Sequence, residues 1–141
     1  QRLMAMFHRD WPGVVRSKGF FWLATRHDWV GEMHQAGGAL EHKAAGFWWA
    51  AAPDAERPDT ATLEASAGVE WLEPWGDRRQ ELVFIGIGME EAEIRAALDA
   101  CLLTDREMAQ GPASWRTLPD PFPAWRLEED AQAALEESPV E

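Results

Sequence analysis

Val14-Val15-Arg16-Ser17-Lys18-Gly19-Phe20-Phe21-Trp22-Leu23-Ala24-Thr25 is the stretch on which the fold turns. β-branched and aromatic residues dominate it, with Phe20, Trp22 and Ala24 on one face of an extended chain and Phe21 and Leu23 on the other. A strand apolar on both faces belongs near the centre of a sheet. Gly19 interrupts it where a missing side chain marks a bulge or a close backbone approach.

Upstream, Leu3, Phe7 and Trp11 recur every four residues, and Pro12-Gly13 stops the pattern, which predicts a short amphipathic helix over 2–11. Downstream, the alternation of 29–36, the Gly37-Gly38 pair and the run 39–43 predict a β-hairpin. Phe47-Trp48-Trp49 reads as a further short strand, 53–60 as a surface loop and 62–75 as partly helical. Leu82-Val83-Phe84-Ile85 is a continuous apolar run, the pattern of a fully buried strand over 81–87. From Glu90 to Leu103 the helical period returns, with Ile94, Leu98 and Cys101 on one side, so Cys101 is expected to face the core. Thr104 and Glu107 form a capping-box pair, Gly111-Pro112 ends that helix, and Pro119, Pro121 and Pro123 keep 115–125 extended. Together these elements predict an α+β fold, a two-layer sandwich with a largely antiparallel sheet and helices on one face.

The chain has 141 residues, enough for one core, and is expected to divide into a domain over 1–127 and an acidic, disordered tail over 128–141. That tail holds six of the acids and no base. A net charge of -12 argues against nucleic acid and anionic membranes as partners. No apolar run is long enough to span a bilayer, and the single cysteine, Cys101, leaves no intramolecular disulfide, which points to a reducing, cytoplasmic setting. Nine Trp and no Tyr are read as core packing.

Signatures of catalysis are absent: no phosphate loop, no His-Glu-x-x-His and no Gly-x-Ser-x-Gly occur. Gly86-Ile87-Gly88 has Glu91 where a dinucleotide loop needs glycine, and Lys18-Gly19-Phe20 lacks the basic surroundings of an RNA-binding strand. The sequence therefore offers no catalytic residue and no cofactor-binding residue. Two candidate sites remain. His34 and His42, on the two strands of the hairpin, are metal-ligand candidates if they approach each other with Glu32 or Glu41, and would make the chain a metal-binding module in its own right. Arg16, Lys18, Arg78 and Arg79 are cations in an acidic chain that either present a docking surface or pair internally with acids such as Asp77 and Glu81.

Four stretches carry a resemblance. They are Arg16-Ser17-Lys18-Gly19-Phe20-Phe21-Trp22, the run from Gly76-Asp77-Arg78-Arg79-Gln80 to Gly86, the run from Cys101 to Glu107, and Asp120-Pro121-Phe122-Pro123-Ala124-Trp125. Their order and spacing resemble the C-terminal domain of CobW-type GTPases, the group that includes metallochaperones and nitrile hydratase activators. The resemblance implies a parent protein that binds GTP and Mg²⁺ and carries Zn²⁺ or Co²⁺ through a Cys-x-Cys-Cys motif, neither that motif nor the phosphate loop being in this sequence. It implies that this part contacts the GTPase domain, a client metalloprotein or a second copy, that it performs no catalysis, and that a strand precedes Gln1. On this reading the chain, which opens on Gln1, is a fragment.

Overall fold

The computed structural model describes residues 1–68 and 70–127. The acidic segment 128–141 lies outside the described residues. Eleven short elements follow one another: α1 (Arg2–Phe7), β1 (Val14–Phe21), a 3-10 turn (Ala24–Arg26), β2 (Trp29–Ala36), β3 (Ala39–Phe47), a second 3-10 turn (Trp49–Ala51), α2 (Thr60–Ala67), β4 (Glu81–Gly86), α3 (Glu91–Cys101), α4 (Asp105–Gln110) and α5 (Pro112–Trp115). The four strands form one sheet in the order β3-β2-β1-β4, antiparallel throughout. This is the α+β architecture expected, with β1 in the interior of the sheet.

Side chains alternate along β1, and Phe21 has no exposed surface while Phe20 is 38% exposed. Phe21 packs with Met33 and Phe122 in the main core cluster, and Leu3, Met4 and Phe7 of α1 close over it together with Trp125. Room for its ring comes from the neighbouring strand: Gly31 stands opposite, and a Cβ there would lie 2.4 Å from the ring. Gly19 serves the other side of β1. A Cβ at that position would fall 1.9 Å from the carbonyl oxygen of Glu81, so close pairing of β1 with β4 requires glycine. The bulge itself lies further back, where the register shifts between Val14 and Arg16.

Three expectations are corrected. β1 ends at Phe21 rather than at Thr25, because the Gln80 side chain takes the place of a further strand residue: it donates to the Trp22 carbonyl at 2.8 Å and accepts from the Trp22 N–H at 3.0 Å. Phe47 is the end of β3, and Trp49 starts a 3-10 turn whose N–H groups at Trp49 and Ala50 donate to the Asp77 carboxylate, each at 2.9 Å. β4 is an edge strand. Its Leu82 and Phe84 face inward, but Val83 and Ile85 are 46% and 53% exposed, since the helices cover only one face of the sheet. A continuous apolar run does not distinguish burial on two faces from burial on one.

The helices behave as their local signals require. α4 has its full capping box, with the Glu107 N–H donating to Thr104 Oγ1 at 3.2 Å and the Thr104 N–H to Glu107 Oε1 at 2.9 Å. That backbone bond from Thr104, followed by the bond from Arg2, holds the Glu107 carboxyl down at about 2. Cys101 is half-buried rather than fully in the core. Its thiol donates to the Ala97 carbonyl, and burial pushes its pKa up.

Because Phe21 is fully enclosed and its neighbours are fixed by backbone, Phe21→Ala should cost about 3–5 kcal/mol of stability in urea denaturation. A loss below about 1 kcal/mol would mean that the cluster is not the core of this domain.

Candidate functional site

Arg78 and Arg79, from the second resembling stretch, make their contacts within the domain. Arg78 has a side chain only 7% exposed. It donates to the His27 carbonyl at 2.9 Å, the Trp75 carbonyl at 3.3 Å and the Asp28 carboxylate at 3.1 Å. Arg79 donates to Glu81 at 2.9 Å and to the Asp77 carbonyl at 3.2 Å. With Asp77 capping the turn after β3 and Gln80 extending β1, the segment 77–80 ties together the ends of three strands. Of the two readings of Arg78 and Arg79, the geometry realises internal pairing.

Arg16 and Lys18 are placed differently. Both stand on the uncovered face of β1, Arg16 beside Ile85 and Ala36 and Lys18 beside Val83 and His34. Both are exposed, and neither makes an ion pair or side-chain hydrogen bond among the described residues. The structure thus separates the four cations: two are internal struts, and two sit beside an apolar stripe of Phe20, Val83 and Ile85. Periodicity does not single out this stripe, because the continuous apolar run of β4 is equally the pattern of a buried strand.

His34 and His42 are not brought together. Across the hairpin, His34 is opposite Glu41 and His42 is opposite Met33, so the two imidazoles lie on opposite faces of the sheet. His34 pairs with Glu32 on the open face at 2.5 Å. His42 lies on the inner face, stacked on Phe7 with ring centres 6.0 Å apart and edge-on to Phe122 at 5.1 Å. Burial, then the neighbouring charges of His8 and Arg26, lower its pKa. Among the described residues no three His, Cys, Asp or Glu side chains converge as metal ligands.

A second cluster brings Trp22, His27, Trp75 and Trp115 together, with centroid separations of 5.4 Å for Trp22 and His27 and 5.5 Å for Trp75 and Trp115. Burial first, then Arg78, lowers the pKa of His27. These contacts account for much of the tryptophan content as packing.

The arrangement that spacing could not reveal is the anchor of the last described stretch. Arg26 grips both oxygens of Asp120, Nε at 2.9 Å and Nη2 at 3.2 Å, and donates to the carbonyls of Phe122 at 2.6 Å and Pro123 at 2.7 Å. Thr25 Oγ1 donates to the same carboxylate at 2.6 Å, and so does the Phe122 N–H at 2.9 Å. Burial alone would raise the Asp120 pKa, but the bonds from Thr25, Arg26 and Phe122 outweigh it and hold the carboxyl below its usual range.

The domain thus combines an α+β fold with a four-stranded antiparallel sheet that leaves Arg16, Lys18, Val83 and Ile85 exposed. The family described as the cobalamin synthesis protein cobW C-terminal domain matches residues 1–102, and the chain belongs to that family. Among its relatives, the zinc-regulated GTPase metalloprotein activator 1 of Dictyostelium discoideum is 42% identical over 111 residues, covering 78% of this chain and 23% of that protein. A Mycobacterium tuberculosis protein named as a zinc chaperone is 39% identical over 127 residues, covering 89% of this chain and 31% of that protein. The chain therefore spans less than a third of the curated relatives' lengths. No solved structure is a significant match.

Removing the anchor should loosen the domain. Arg26→Ala should cost about 3 kcal/mol, as expected for stripping one partner from a half-buried, multiply bonded pair. Since Asp120 titrates lower in the folded state than in the unfolded one, its contribution is complete above about pH 4 and disappears as the pH falls through the folded value. Asp120→Asn should therefore flatten the acid limb of the stability profile measured by urea denaturation, and an unchanged acid limb would contradict the anchor.

Proposed function

We propose that this domain is the protein-docking part of a GTP-dependent metallochaperone, contacting its companion nucleotide-binding domain and a client metalloprotein, and that catalysis lies elsewhere in the parent protein. The names of the relatives support the metal-handling half of this reading, with zinc as the cargo and GTP and Mg²⁺ belonging to the nucleotide-binding domain. One observation carries the docking half. In a chain of net charge -12, Arg16 and Lys18 are exposed beside Phe20, Val83 and Ile85 on the uncovered sheet face.

Such a surface suits a partner with an aliphatic centre and a carboxylate rim. The apolar stripe supplies area to remove from water, while the cations set orientation and speed encounter. A second copy of this chain, itself acidic, is the competing occupant.

The probe is the part of the Mycobacterium tuberculosis relative outside the matched segment, expressed separately and titrated with this chain by calorimetry. Arg16→Glu combined with Lys18→Glu should weaken binding about tenfold or more, an effect that shrinks as salt is raised, with thermal stability almost unchanged. Equal affinity of the variant would rule out this face. Arg78→Glu should instead lower the melting temperature, because it unpairs a buried guanidinium site.

A further inference from the structure

α1 and the hairpin of β2 and β3 meet around a cleft of about 440 Å³ on the covered side of the sheet. Four of its lining side chains come in two pairs set by backbone geometry. Met4 and His8 are four apart on one helical run, with the His8 N–H still donating to the Met4 carbonyl at 3.2 Å, so they lie one above the other. Met33 and His42 are directly opposed across the two strands and share the inner face. All four line this one cleft, and Met4 packs against the core cluster that holds Met33, so each pair brings one thioether and one imidazole to it.

We propose that Met4, His8, Met33 and His42 form a binding site for one soft monovalent metal ion, Cu(I). Thioether sulfur favours Cu(I) over harder cations, and imidazole serves Cu(I) equally well. Thioethers carry no charge and imidazole binds metals through its neutral form, so this donor set brings no anion with it. Zn²⁺, by contrast, takes thiolate, imidazole and carboxylate ligands. Among the described residues the only carboxylate on this cleft is that of Asp10, and it does not join His8 and His42 as a third ligand of that kind.

Two further observations favour a ligand role over packing alone. Nδ1 of His42 is buried and makes no hydrogen bond among the described residues, although buried polar atoms are ordinarily partnered. The ring is also fixed in place, stacked on Phe7 and edge-on to Phe122. This inference does not depend on the docking surface, which lies on the opposite side of the sheet.

The test is anaerobic titration of the full chain with the Cu(I)–bicinchoninate complex, in which loss of the complex's colour reports transfer to protein. The expected result is one equivalent transferred, with mixed sulfur and nitrogen coordination in X-ray absorption. His8→Ala and Met4→Leu should each weaken retention about tenfold or more while the metal-free melting temperature stays close to that of the parent chain. The Met33→Leu and His42→Leu double variant should abolish transfer, and Cys101→Ser should leave it unchanged. Failure to withdraw Cu(I) from the competitor would overturn the proposal, as would transfer that survives the changes at Met4 and His8 or that disappears in Cys101→Ser.

Discussion

The bidentate contact between Arg26 and Asp120 is the interaction on which the rest of this structure depends. Phe122 and Trp125 must lie over Phe21 to complete the core, yet they belong to a proline-rich stretch with no helix or strand of its own to hold them. Arg26 supplies that hold through four hydrogen bonds to the segment, and Thr25 adds a fifth. The turn that carries these two residues forms where β1 stops, and β1 stops where Gln80 occupies the backbone groups of Trp22. The end of the central strand, the closing strap and the entry to β4 are therefore one connected arrangement.

Its consequence for function is a division of labour between the faces of the sheet. On the covered face, aromatic rings and the buried Arg78 fix the fold. On the open face, Arg16, Lys18, Val83 and Ile85 are exposed among the described residues, and the docking proposal rests on them. Of the four candidate docking cations, Arg78 and Arg79 are held by backbone carbonyls and neighbouring acids.

Local signals were legible in the sequence and distant ones were not. Gly37-Gly38 marked the hairpin, Thr104 and Glu107 marked the start of α4, and the period of Ile94 and Leu98 marked α3, each decided within a few residues. The position of β4 at the sheet edge depends on what covers it, which no pattern in Leu82-Val83-Phe84-Ile85 contains. Arg26 and Asp120 are separated by 94 residues, so no spacing rule links them. The pairing of His34 with His42 failed for a reason that the turn already held. A two-residue turn sets His34 opposite Glu41, and an offset of one residue puts His42 on the other face.

Native-state hydrogen exchange tests most directly whether the anchored strap belongs to the same cooperative unit as the sheet. The amide of Phe122, bonded to Asp120, should open with nearly the same free energy as the amides of Phe21 and Met33 in β1 and β2, and Arg26→Ala should lower its protection more than theirs. If Phe122 exchanges by local opening at a small fraction of that free energy while the strands stay protected, the strap is an appendage and the account built on Arg26 is wrong.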